Sequence, residues 1–109
     1  MKKLLSIAIA IGFISTGVQA SCNSTSCTGK VTKIYMTADG TLYVGTDGNE
    51  RSLNCTAPGG IYVSLSNTDP GKNAMYSLLL TAQTTGTPVT IRIQENSPTC
   101  RILYVSKEK

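Results

Sequence analysis

Four cysteines, Cys22, Cys27, Cys55 and Cys100, in a chain of 109 residues without a histidine constrain this sequence more than any other feature. In an oxidising compartment an even cysteine count in a short chain reads as disulfides, here two. The N-terminus points to such a compartment. Lys2 and Lys3 precede an apolar run over residues 4–14, too short to span a bilayer as a helix. Val18-Gln19-Ala20 then has the small-x-small pattern that a signal peptidase cuts after. Residues 1–20 are therefore expected to be an export signal, with the mature chain beginning at Ser21 and ending secreted or periplasmic. An uncleaved anchor suits the length and flanks less well. A lipoprotein acylated at Cys22 would want an aliphatic residue where Gln19 stands.

Residues 21–109 make one small domain, whose thin core calls for covalent or oligomeric support. Four cysteines allow three pairings. Cys27 lies just before the first predicted strand and Cys100 between the last two, which favours Cys27–Cys100 with Cys22–Cys55. A metal centre is disfavoured, since the chain lacks both histidine and C-x-x-C spacing. No cofactor is expected.

Formal charge is +4, and losing Lys2 and Lys3 with the signal lowers it by two to +2. The remaining basic residues are dispersed rather than clustered among aromatics, which speaks against nucleic acid as a partner. No second apolar run is long enough for a membrane span.

Along the mature chain the hydrophobic period changes twice. Residues 30–36 are rich in β-branched and aromatic side chains and meet a hairpin signal at Asp39-Gly40. Residues 41–46 alternate, with Leu42 and Val44 on one face and Tyr43 on the other. The turn Asp47-Gly48-Asn49 leads to residues 50–54, and residues 61–65 alternate again. Asp69-Pro70 then reads as a helix start, with Asp69 as N-cap and Pro70 at the first helical position. Ala74, Met75, Leu78, Leu79 and Ala82 form its expected core stripe, and Gly86 its left-handed stop. Val89, Ile91 and Ile93 mark one face of a strand over residues 87–94, and residues 101–106 a final one. Three or four strands, a helix and two strands suit a small five-stranded OB-like barrel (β-β-β-α-β-β), mainly β and disulfide-stabilised.

Enzymatic signals are scarce. The commonest general base is missing. Asp39 and Asp47 have turn roles and Asp69 a capping role, and nothing aims two of the acids Asp39, Asp47, Glu50, Asp69, Glu95 and Glu108 at one site. Serines and threonines lack a partner base. The chain is expected not to be an enzyme.

Two stretches point to binding instead. Residues 73–91 contain no charged side chain, and Tyr76, Leu80 and Thr84 lie off the core stripe, as at a subunit interface. Tyr43 and Tyr62 fall on the more polar faces of their strands. A tyrosine ring covers the apolar face of a sugar while nearby hydroxyls and amides bond its OH groups.

The segment Met75-Tyr76-Ser77-Leu78-Leu79-Leu80, followed by Thr84-Thr85-Gly86-Thr87-Pro88-Val89-Thr90-Ile91, resembles the helix and following strand of B subunits of AB5 toxins of the subtilase-cytotoxin and pertussis-like type. Thr28-Gly29-Lys30-Val31 is similar to the opening of their first strand. The resemblance implies an OB-fold, a ring of five copies, binding of surface glycans with sialylated ones among them, and an enzymatic A subunit as partner. It places Thr28 where a hydroxyl meets the sugar's carboxylate region. Arg92 and Ile93 stand where relatives carry aromatic residues, and Arg92 joins Thr28, Tyr43 and Tyr62 as a glycan-binding candidate. The competing expectation is a monomeric periplasmic inhibitor of a cell-wall hydrolase, acting through a loop at residues 95–99 or 56–60.

Overall fold

A computed structural model describes residues 19–107. The expected export signal, apart from Gln19 and Ala20, lies outside the described residues. Seven strands and one helix follow in the order β1 (Ser21–Cys22), β2 (Ser26–Gly29), β3 (Val31–Met36), β4 (Leu42–Thr46), β5 (Val63–Leu65), α1 (Lys72–Thr85), β6 (Val89–Ile93) and β7 (Ile102–Lys107). They form two antiparallel sheets, one in the order β1-β2-β6-β7 and the other β3-β4-β5. The chain is mainly β with one helix and two disulfides, as the alternating patterns predict.

The expected closed barrel is not what the strands make. β2 and β3 are separated by Lys30 alone, so one extended segment leaves the first sheet and enters the second. Asp47 holds the crossing: its Oδ1 accepts from the Lys30 amide at 2.8 Å, and its own amide donates to the Lys30 carbonyl at 3.1 Å. On the opposite side the sheets meet, among the described residues, at a parallel bridge between Ser64 and Arg101, where the Ser64 amide and hydroxyl donate to the carbonyls of Cys100 and Thr99. β5 is three residues long, and the chain reaches β7 through Cys100 in a positive-φ conformation, so the ladder does not extend. Residues 50–54, which could have been a further strand, begin as a 3-10 turn over Glu50–Ser52.

The alternating strands bury the faces expected of them. Leu42, Val44, Val63, Leu65, Val89, Ile91, Ile93 and Ile102 are almost wholly buried in one core, with Leu79 and Ala82 of α1. The helix lies against β7 and β3. Its core stripe differs from expectation at Ala74, which is exposed, and at Leu78, which is half-buried outside the core cluster, while Tyr76 joins Met75 against the core.

Helix entry also differs. Gly71, not Asp69, is the N-cap residue, and it offers no side-chain cap. Asp69 is drawn off by stronger donors: its Oδ2 accepts from the Ser66 amide, and its Oδ1 takes Arg101 Nε at 3.0 Å and Nη2 at 2.6 Å. A charge-assisted, two-point contact outcompetes one exposed backbone amide. The predicted stop is in place. Gly86 is left-handed, and the Thr87 amide reaches back to the Ala82 carbonyl as in a Schellman end.

Disulfide connectivity corrects the expected pairing. Cys22 bonds Cys27 and Cys55 bonds Cys100. β1 folds back on β2, so Cys22 stands directly opposite Cys27. The neighbour of β2 is β6 rather than β7, and this takes Cys27 away from Cys100.

Candidate functional site

The β3–β4 hairpin sets the outer face of the three-stranded sheet. Its register pairs Lys33 with Gly45, Ile34 with Val44, Tyr35 with Tyr43 and Met36 with Leu42. Because Leu42 and Val44 face the core, the alternate positions Lys33, Tyr35, Tyr43 and Gly45 face outward. Tyr62 immediately precedes β5, whose Val63 pairs with Val44. Tyr62 therefore falls beside Gly45, and its ring fills the space a side chain there would take: a Cβ on Gly45 would lie 3.3 Å from Tyr62 Cε1.

Three tyrosines from three strand segments thus converge. Tyr35 and Tyr43 stack with centroids 4.8 Å apart. Tyr62 meets both edge-on, at 5.3 Å from Tyr35 and 6.3 Å from Tyr43. Lys33 Nζ stands 5.4 Å from the Tyr35 centroid, within cation–π range. The Arg51 guanidinium lies against Gly60, where a Cβ would come within 2.6 Å of its Nη2. The result is an aromatic surface with the Lys33 cation at its margin. Tyr35 is 37% exposed, and Tyr43 and Tyr62 are half-buried.

The four glycan-binding candidates do not form one site. Tyr43 and Tyr62 belong to this surface. Thr28 and Arg92 lie on the outer face of the four-stranded sheet, where Thr28 pairs with Thr90 and Ser26 with Arg92. Thr28 Oγ1 and Thr90 Oγ1 share a hydrogen bond of 3.1 Å, so the hydroxyl is already engaged. Arg92 has a buried Nε without a hydrogen-bond partner and faces Tyr104 across the β6–β7 pair.

Sequence reasoning missed Tyr35 and Lys33 as members of the tyrosine surface. The Asp39-Gly40 signal alone would not have found them: a two-residue turn there sets Tyr35 opposite Val44, and it is the three-residue loop over residues 38–40, with Gly40 at a φ of +88°, that sets Tyr35 opposite Tyr43. Nothing in the spacing reveals that Tyr62 joins them, because that depends on how β5 returns beside β4.

On α1 the interface candidates separate by depth. Tyr76 is half-buried against the core, whereas Leu80 is 42% exposed and Thr84 is exposed. Thr81, Thr84 and Thr85 donate their hydroxyls to the carbonyls of Ser77, Leu80 and Thr81, at 2.9, 2.8 and 2.9 Å. These hydroxyls are satisfied within the helix, which leaves its outer face less polar than its composition suggests.

Among the acids, Asp39 closes the hairpin, accepting from the Thr37 hydroxyl and the Thr41 amide. Those bonds, the Thr37 hydroxyl foremost, lower its pKa. Arg101's hydrogen bond likewise lowers that of Asp69, against the opposing effect of burial. Glu50 is the buried acid, 2% exposed, and accepts from the Thr46 amide and hydroxyl at 2.9 and 2.5 Å. Among the described residues no helix is long and apolar enough to cross a membrane. No protein-family model, curated protein or solved structure matches the chain.

Proposed function

We propose that this chain is an exported, non-enzymatic binding subunit that holds a surface glycan on Tyr35, Tyr43 and Tyr62. The convergence of these three rings on one sheet face carries the reading. A stacked pair flanked by an edge-on ring offers a partly desolvated apolar plane for a sugar face, with phenol hydroxyls at its rim. Lys33, within cation–π range of Tyr35, favours a sugar bearing a carboxylate, such as a sialylated one. The strand path also favours an OB-type plan: a long bent segment running through β2 and β3, a helix between β5 and β6, and a parallel approach of Ser64 in β5 to Arg101 just before β7.

Assembly into a ring, with a pentamer as the model taken from the AB5 resemblance, rests on two features. α1 exposes an uncharged face at Leu80 and Thr84. β7 and β3 are edge strands, with exposed Leu103 and Tyr104 on the first and Met36 on the second. Head-to-tail contact between unlike edges is how a closed ring is built. An enzymatic A subunit would then be its partner.

A glycan array with the oxidised protein tests the binding reading. Tyr43→Ala and Tyr62→Ala should each weaken binding about fivefold to a hundredfold, given the ~1–3 kcal/mol carried by a buried aromatic ring. Thr28→Val should change it little. Loss on Thr28→Val with retention in both tyrosine variants would move the site to the other sheet. A chain that binds no glycan, is monomeric and inhibits a cell-wall hydrolase would replace this reading with the inhibitor one.

A further inference from the structure

The β1–β2 hairpin sets Cys22 opposite Cys27, and the turn after β4 brings Glu50 to the same place. The two sulfurs and a carboxylate oxygen of Glu50 all lie within 4.8 Å of one another. We propose that reduction of the Cys22–Cys27 disulfide unmasks a site for a zinc-class divalent cation, ligated by both thiolates and Glu50.

Three observations beyond this proximity support it. Glu50 is almost fully buried, yet it has no ion-pair partner among the described residues. Buried charges are ordinarily paired or bound to metal. Its carboxylate is also oriented from behind: Thr46 donates its amide and hydroxyl to Oε2, and the Gly48 amide in turn donates to that hydroxyl at 3.1 Å. Such outer hydrogen bonds are what fixes a metal-ligating carboxylate. Finally, Gly48 packs its backbone closely on the Cys22 sulfur, with no room for a side chain between them. Its backbone has no positive φ, so glycine is not required for conformation there. A Cβ at Gly48 would instead sit 2.9 Å from Cys22 Sγ and 3.4 Å from Thr46 Oγ1.

Two thiolates and one carboxylate suit a borderline-soft cation in tetrahedral geometry, with water at the fourth position. The sulfurs need to part to about 3.7 Å, as Zn–S bonds near 2.3 Å require, which rotation about the Cα–Cβ bonds provides. In the step itself a dithiol reductant delivers two electrons and two protons. The S–S bond breaks to two thiols, and the reductant closes to its own disulfide. Metal binding then releases both thiol protons to solvent.

The test is a Co²⁺ titration of the full chain after reduction by a phosphine, which is oxidised to its oxide with water as oxygen donor. The reduced protein should bind one equivalent with a thiolate-to-cobalt charge-transfer band, and the oxidised protein none. The double variant C22S/C27S, which retains Cys55 and Cys100, should lose the band. Glu50→Gln can still accept from Thr46 but lacks the anionic ligand, so it should lower affinity at least about tenfold while circular dichroism stays native. The proposal is overturned by a silent reduced protein, by a reduced chain unfolded both with and without Co²⁺, by a band that survives in C22S/C27S, or by unchanged affinity in Glu50→Gln.

Discussion

At the level of single residues, the Asp69–Arg101 pair shows how a side chain with a familiar local role is taken over by a stronger partner. Asp69 joins the turn before α1 to the start of β7, and only Asp69 is well shielded: Arg101 is 43% exposed. With that exposure discounted, Asp69→Asn should cost about 1 kcal/mol in urea denaturation. The pH dependence has a definite sign. The hydrogen bond from Arg101 holds the folded-state pKa of Asp69 below its ordinary 3.8. The pair therefore contributes stability above that ordinary value and loses it as pH falls through the depressed one. Acid titration of wild type against Asp69→Asn should show their stabilities converge at the acid end. Gly86 gives a second check. Its φ is +70° and a Cβ there would touch nothing within 4 Å, so Gly86→Ala isolates the conformational cost, about 1 kcal/mol.

At the level of elements, the two disulfides differ in what they tie. Cys22–Cys27 closes a hairpin with a separation of 5 residues, whereas Cys55–Cys100 spans 45 and links the loop before β5 to the bend before β7. Chain-entropy arguments assign about 2 kcal/mol to the short loop and about 4 kcal/mol to the long one. Cys55→Ala with Cys100→Ala should therefore lower the denaturation midpoint far more than Cys22→Ala with Cys27→Ala. Equal effects would show that β1 anchors more of the fold than its two residues suggest. The helix illustrates legibility at this scale. Its end was readable because Gly86 acts locally. Its start is not legible locally, because Asp69 answers to Arg101, which is remote in sequence.

For the whole molecule, the decisive quantity is the mass in solution. Leu80 is exposed on α1 while Leu79 beside it is fully buried, so Leu80→Glu should leave the monomer folded and abolish assembly. Light scattering on a size-exclusion column reads this directly: wild type should run as a ring and the variant as a monomer. An unfolded variant would place Leu80 in the core, and a monomeric wild type would remove the ring reading altogether.

The period-2 runs at β4 and β6, the hairpin at Asp39-Gly40, the helix with its Gly86 stop and the presence of two disulfides were determined by sequence alone. Each depends on side-chain alternation, local backbone preference or cysteine count. Tertiary structure alone decided which cysteines pair, that β2 and β3 divide one extended segment between two sheets, and that Tyr62 joins Tyr35 and Tyr43. It also separated Thr28 and Arg92 from those rings and set Glu50 beside Cys22 and Cys27. All of these are contacts between residues whose approach is governed by strand order and register, and no local pattern encodes those.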